Sequence, residues 1–355
     1  MKKSAKWTRL TEWEHWPTPV FYLPLLPFFF LRYLKAGHPN HYLAANPGIR
    51  YSGNGTESKH QSLNLIAEEF RPSSLLVEQG ENPEEVLKKL EGLEIGFPLI
   101  AKPDQGFRGY LVKKLDSPSA LHSYLKRVQT EVMIQEFVPF ENELGIFYHR
   151  FPGQEKGKVT SVTIKKFMKI RGDGRECLED LIKKDERAYL YLDIFRMIHK
   201  ERMKKILDPG EELVLSVIGN HSKGTQFLNG NHLIDKRLHE LMDRICIPMK
   251  GFHYGRLDIK FREYNTLLAG QDFKVLEVNG IISEPTHIYD ASHEKASYLN
   301  ALRTINRHWE IMSEIALINH RKHMVPYPGV REYIKNLRWL RRHSKMLKSL
   351  NAQVF

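Results

Sequence analysis

The chain has 355 residues, a formal charge of +12, and 41% hydrophobic and 27% charged residues, a globular composition that supports one compact multi-lobed body or two domains. Its two cysteines, Cys177 and Cys246, are too few for a disulfide framework or a cysteine-ligated zinc cluster, and a reducing, cytoplasmic compartment is expected. The basic excess asks for an anionic partner, whether nucleotide, nucleic acid or phospholipid surface, without choosing among them.

The first feature in chain order is the apolar run Pro17 to Leu31. It falls short of the about 20 residues a spanning helix needs, and Pro17, Pro19, Pro24 and Pro27 argue against a continuous helix. Glu12 and Glu14 precede it and no small-residue cleavage site follows, so a secretory signal is not expected. The run reads as a buried or interfacial arm. Its aromatics, Trp7, Trp13, Trp16, Phe21, Tyr22, Phe28, Phe29, Phe30 and Tyr33, suit a membrane interface, with Arg32 and Lys35 placed for headgroups. A hydrophobic arm packed on the body or on a partner subunit fits equally well.

Asn46 to Lys59 is rich in Gly, Asn and Ser and predicts irregular backbone. From Ser58, the spacing of Leu63, Ile66 and Phe70 predicts a helix that Pro72 stops. Next come a strand at Leu75 to Glu78, a helix at Glu84 to Leu90 opened by Pro83, and a buried strand in FPLIAKP (97 to 103). A return strand at Tyr110 to Lys114, a helix at 117 to 128 and a strand at Val132 to Phe137 complete the lobe. The second half predicts strands at 143 to 149, 159 to 170 and 211 to 218. It adds helices at 176 to 184 and 235 to 247, then strands at 253 to 261 and 272 to 279. A helix at 294 to 320 precedes the break Pro326-Tyr327-Pro328-Gly329. Beyond it, Arg331 to Lys348 carries Ile334, Leu337, Leu340, Leu347 and Leu350 roughly on one face, amid seven basic residues and the single acid Glu332. Such a basic amphipathic helix reads either as an anion- or lipid-binding element or as a docking helix with a solvated face.

The chemistry concentrates in GRLDIKF (255 to 261) and DFKVLEVNG (272 to 280). Strand alternation puts Arg256, Asp258 and Lys260 on one face, and Glu277 and Asn279 together on theirs. As neighbouring strands they would converge two carboxylates and an amide oxygen, an all-oxygen set of the kind that holds magnesium beside phosphates. FPLIAKPDQGFRGYLV (97 to 112) places Lys102 at a strand end ahead of Gly106 and Gly109, a loop that lets backbone amides reach phosphate oxygens, with Arg108 at hand. MIQEFVPFENELGIFY (133 to 148) offers backbone at Glu136 to Val138 for an adenine edge and Glu143 for ribose hydroxyls.

In this order and spacing the segments resemble the ATP-grasp superfamily over roughly Ser58 to Asp290. Within it they resemble the carboxylate-amine ligases typified by D-alanine:D-alanine ligase and cyanophycin synthetase. The resemblance implies an α+β fold in which two α/β lobes clasp ATP, here preceded by an aromatic arm (1 to 57) and followed by basic C-terminal helices (291 to 355). It implies Lys59 and Lys102 on ATP phosphates beside Gly106 and Gly109, Glu136 and Val138 at the adenine, and Glu143 at the ribose. It further implies Asp258, Glu277 and Asn279 on two Mg2+ or Mn2+ ions, and Arg256, with Lys102, stabilising the transferring phosphoryl group. The likeness to cyanophycin synthetases extends to IRGDGRECLEDLI (170 to 182) and GNHSKGT (219 to 225).

The implied reaction is ATP-dependent amide formation through an acyl phosphate between small-molecule or lipid-linked carboxylate and amine substrates. Its setting is the cytoplasm, at the inner face of a membrane of anionic lipid, in a monomer or an oligomer. The chain departs from the family in lacking a full domain before the grasp lobes, and in carrying GIISEPTHIYD (280 to 290) after the L-E-V-N strand. Asn46, Arg50, Glu57, Lys165, Lys166, Arg171, Asn220, Ser222 and Lys223 are the candidates for the acceptor side. Two other readings compete: a small-molecule kinase on the same scaffold, and a nucleotide-binding, membrane-associated protein without catalysis. No nucleic-acid-reading motif is present, and none is expected as a partner.

Overall fold

The computed structural model describes residues 7–8, 11–106, 109–220 and 223–354. Two antiparallel sheets organise it. The smaller, in the order β1-β4-β2-β3, is formed by β1 (Ser74–Val77), β2 (Leu99–Pro103), β3 (Lys113–Leu115) and β4 (Val132–Glu136). The larger, in the order β11-β10-β5-β6-β9, is formed by β5 (Asn142–His149), β6 (Lys158–Lys166), β9 (Gln226–Asn229), β10 (Tyr254–Phe261) and β11 (Phe273–Asn279). β7 (Lys169–Arg171) and β8 (Glu212–Val214) pair as a separate ribbon. Each main sheet has its own core. Leu99, Ala101, Ile134, Leu121 and Leu115 fill one and Ile146, Leu257, Ile259, Val275 and Leu241 the other, all essentially inaccessible. The α+β arrangement of two lobes expected from the sequence is present.

The N-terminal run departs from expectation. It is helical: α1 (Thr18–Tyr22), a 3-10 turn at Leu23–Leu25, and α2 (Leu26–Ala36). Pro17 precedes the first helical residue, and Pro19, Pro24 and Pro27 fall within the first two positions of each segment. There the missing N–H has no helical partner to lose and the fixed φ suits the turn. The arm packs through Phe21 and Leu25 on Leu302 and Ile305 of the long helix Tyr298–His323. Tyr22 stacks on Trp309 at 5.6 Å, and Arg32 donates to Asn306 Oδ1 at 2.9 Å. The following segment runs close under the end of β11. Gly53 sits at φ +77, and a Cβ there would lie 2.6 Å from Gly280 Cα, so only glycine allows the approach.

Other differences have local causes. The helix expected from Ser58 to Phe70 is a single turn and a half, α3 (Lys59–Leu63). The chain then turns through Asn64 into a short 3-10 segment at Glu68–Phe70. The return strand after the glycine loop begins only at Lys113, because Gly109 and Leu111 both take left-handed backbone angles. The single strand expected at 159 to 170 breaks at Phe167–Met168, where β6 leaves the main sheet for the β7–β8 ribbon. Elements the periodicity did not suggest are the helix α7 (Leu192–Ile198) and the edge strand β9. The remaining helices are α4 (Pro83–Gly92), α5 (Pro118–Arg127), α6 (Leu178–Lys184), α8 (Lys236–Cys246), α9 (Tyr264–Leu268), α10 (Tyr298–His323) and α11 (Val330–Val354).

α11 is a strap across both lobes. Near its start Tyr333 meets Tyr42 (2.7 Å between hydroxyls) and Asn336 pairs with Asn54 and Thr56, both at 3.1 Å. Further on, His343 Nε2 donates to Gln105 O at 2.7 Å, and Asn351 Oδ1 accepts from Leu111 N at 2.8 Å. Leu347 is fully buried in the core of the smaller sheet. The docked stripe is therefore Asn336, His343, Leu347 and Asn351. Ile334 and Leu337, expected to share that stripe, lie outward, and all seven basic residues from Arg331 to Lys348 are exposed.

Candidate active site

β10 and β11 are neighbours, and their register sets Asp258 opposite Glu277 and Arg256 opposite Asn279. On its other side β10 pairs with β5, which brings Gly145 opposite Asp258 and Glu143 opposite Lys260. A Cβ on Gly145 would fall 3.1 Å from Arg256 Cδ and 3.3 Å from Asp258 Oδ1, so the glycine makes room for that pair. Arg256 Nε donates to Asp258 Oδ1 at 2.9 Å, and Asn279 Nδ2 lies 3.4 Å from Asp258 Oδ2. Lys165, from the next strand, reaches Glu143 Oε1 at 2.6 Å and Asp258 Oδ2 at 3.1 Å with almost no exposure on any of the three side chains.

The smaller sheet contributes from above. Lys102 Nζ donates to Gln135 Oε1 at 3.1 Å and to Leu276 O of β11 at 3.4 Å, joining the two sheets at the site. Lys59, on α3, pairs with Glu277. Ser58 caps that helix by accepting from Gln61 N at 3.0 Å, while Asp104 accepts from His60 N at 2.9 Å and its carbonyl from Lys59 N at 3.1 Å. These contacts fix Lys59 against the glycine loop. A Cβ on Gly106 would stand 3.1 Å from Lys59 Cε.

Lys59, Lys102, Lys165 and Arg256 thus stand among the carboxylates of Glu57, Glu143, Asp258 and Glu277. Burial alone would raise the Asp258 and Glu277 carboxyls. Arg256 and Lys165 outweigh it for Asp258, Lys59 and Lys102 for Glu277, and both are held below the usual carboxylate range. Burial dominates at Lys102, which falls to about 8 despite the attraction of Glu277. It also raises Glu57, against the charge of Lys59. Two facing carboxylates, Asp258 buried and Glu277 half-buried, and an adjacent amide are a hard-oxygen donor set suited to Mg2+, and they are already compensated by positive charge at the positions a metal would neutralise. The residues fit that ion.

The other candidates separate. Glu136 is exposed, its N–H donating to Ser73 O at 2.9 Å and its carboxylate accepting from Ser73 N at 3.2 Å, while Val138 is buried beside it. Gly109 lies against Ile218 and Asn220, and Gly219 packs on the Glu143 carboxylate, so residues 218–220 lie between Gly109 and β5. Lys223 in that loop is partly buried, and burial lowers its ammonium. Arg108 and Ser222 lie outside the described residues. Asn46 is a framework residue: its side chain joins the N–H groups of His253 and Tyr254 to the carbonyls of Ser52 and Tyr254. Arg50 is exposed over the Tyr51 ring, and Lys166 and Arg171 are exposed on their strands.

Two residues at the site escaped the sequence reading, and a third, Tyr22, was read only as an interfacial aromatic. Gln135 is the one buried polar side chain of β4, next to its exposed terminal Glu136, which was its signal. Glu284 accepts from Tyr22 and, at 2.8 Å, from Tyr289, while its carbonyl accepts from Arg256 at 3.3 Å. Tyr22 therefore brings the N-terminal arm to the edge of the site.

No protein-family model matches the sequence, and no curated protein does. Among solved structures the chain is similar to the VanG D-Ala:D-Ser ligase of Enterococcus faecalis (12% identity, TM-score 0.43, 76% of this chain, 64% of that one). It is also similar to the D-alanine–D-alanine ligase of Bacillus anthracis (14%, 0.41, 78% and 72%). A third likeness is to a bifunctional glutathione synthetase of Pasteurella multocida (14%, 0.35, 72% and 38%). The chain spans less than two thirds of the first and of the third. At these scores the likenesses decide neither fold nor chemistry, which rest on the topology and the site themselves.

Proposed function

We propose that this chain is a Mg-ATP-dependent carboxylate-amine ligase of the ATP-grasp kind, working in the cytoplasm at the inner face of a membrane. The observation that carries the reading is the in-register pair Asp258 and Glu277, with Asn279 beside it, flanked by Lys102 from the smaller sheet, Lys165 and Arg256 from the larger, and Lys59 from α3. Phosphoryl transfer asks for positioning and for neutralised charge, and this site offers both with no protein nucleophile. Asp258, Glu277 and Asn279 would hold the divalent metal, which would supply charge neutralisation to the phosphates. Lys59 and Lys165 occupy carboxylates that a metal would take, and their ammonium groups are then available to phosphate. Lys102 and the backbone at Gly106 and Gly109 serve the phosphates, Glu143 the ribose, and the backbone at Glu136 to Val138 the adenine edge.

In the reaction, a substrate carboxylate oxygen attacks the γ-phosphorus, the bond to the β-phosphate oxygen breaks, and ADP leaves. Arg256 and Lys102 stabilise the charge that develops. An amine nitrogen then attacks the acyl carbon, phosphate departs, and the nitrogen loses a proton. Hydroxylamine tests this directly: with Mg-ATP and the acid substrate it should yield a hydroxamate. A stable phosphorylated acceptor with no hydroxamate would favour the kinase reading.

The strap gives a second test. Asn351→Ala leaves the Leu111 N–H without its acceptor, at a cost of about 1–3 kcal/mol. Because that N–H lies at the foot of the glycine loop, Mg-ATP binding should weaken by roughly tenfold. Titration with a non-hydrolysable ATP analogue measures it, and unchanged affinity would remove α11 from the nucleotide site.

A further inference from the structure

An unusual surface lies on the N-terminal arm. α2 has one face docked, with Phe29 against Trp309 at 5.6 Å and Arg32 on Asn306. The opposite face should be polar in a helix that meets only water. Instead Leu26, Phe30, Leu31 and Leu34, with Leu23 of the preceding turn, are 54–62% exposed, a patch on the order of 500 Å2 and at the upper end for a soluble monomer. α2 has 11 residues, so it is about 16 Å long and can only lie along a bilayer. Among the described residues no helix is long and apolar enough to cross one.

The charge beside this ridge selects its occupant. From His15 to Thr56 the chain carries no aspartate or glutamate. The end of α2 meets the start of the basic strap: His38 stacks on Tyr327 at 5.2 Å, and Asn40 Nδ2 donates to Pro328 O at 3.2 Å. α11 then presents seven exposed lysines and arginines. Its one acid there, Glu332, accepts from Tyr51 at 2.6 Å, and Val330, Ile334 and Leu337 lie exposed among the cations. An apolar ridge adjoining a basic amphipathic helix matches the interfacial layer of an anionic bilayer, where buried apolar area and headgroup attraction add. A second copy is a poorer occupant, since a two-fold contact through the ridge would draw two basic helices together.

We propose that the ridge of α1 and α2, with the outer face of α11, is the surface by which this protein docks on anionic lipid. This rests on the membrane part of the proposed function and not on its chemistry. The test is co-sedimentation of the full chain with phosphatidylcholine vesicles, with and without phosphatidylglycerol. Binding should be at least about tenfold tighter to the anionic vesicles and should weaken with salt. Leu26→Asp with Phe30→Asp should abolish it while leaving the thermal unfolding midpoint in place, since both side chains are exposed. Glu277→Gln should bind like the parent, so failed chemistry and failed docking are distinguishable. Equal binding to both vesicles, binding that survives the double substitution, or no binding would overturn the proposal. So would a dimer that the double substitution dissociates.

Discussion

Glu277→Gln is expected to lower substrate-dependent ATP turnover by about a hundredfold or more, the scale on which removal of one preorganised charge from a transferring group is felt. The glutamine keeps the volume and one oxygen but removes the charge that faces Asp258 across the β10–β11 pair. It is a better test than Glu277→Ala. The carboxylate is the counter-ion of Lys59 and a near neighbour of Lys102, and truncation would leave the buried Lys102 and the half-buried Lys59 ammonium groups facing a void, which is itself destabilising. Circular dichroism and the urea midpoint separate a folded, inactive variant from an unfolded one. A folded Glu277→Gln variant with normal turnover would remove the metal assignment.

The second large effect concerns acid stability. Burial lowers His149, His253 and His287 to about 4 and His308 to about 3. His149, His253 and His308 each have an Nδ1 with no hydrogen-bond partner among the described residues, and His308 packs edge-on against Phe147 at 4.5 Å. These rings stay neutral in the folded chain when the unfolded chain, with ordinary histidines near 6.5, has taken up protons. The unfolded state therefore binds more protons as pH falls from about 6.5 toward 4, and stability falls with it. At roughly 1 kcal/mol per pH unit for each ring, the loss between pH 6.5 and 5 is on the order of 5 kcal/mol, comparable with the whole stability of many domains. Urea midpoints across that range should drop steeply, and His308→Leu should flatten the slope. A midpoint independent of pH would mean that the rings are not held neutral.

What the sequence disclosed follows from how each element is specified. β10 and β11 were legible because alternation and flanking turns mark them, and their pairing brought Asp258, Glu277 and Asn279 together as expected. Lys102 was legible from its place at the end of a buried run. Lys165 was seen only as an acceptor-side candidate, because its central position comes from β5 lying between β6 and β10, a long-range order that no local pattern encodes. The same holds for α11. Its heptad-like leucines suggested one face, yet the docked stripe is built on Asn336, His343 and Asn351, polar side chains whose partners lie more than two hundred residues away. In the N-terminal arm the prolines were read as helix breakers. Their meaning depended on register, and one or two positions decide whether a proline ends a helix or starts one.

The claim on which the rest depends is that a carboxylate and an amine are joined at the expense of ATP. ADP release from Mg-ATP should be measured against pooled amino acids, dipeptides and lipid extract, with the folded Glu277→Gln protein as the blank. Release above that blank that requires an acid and an amine together is the expected result. Release driven by a single acceptor, with that acceptor recovered phosphorylated, would contradict it.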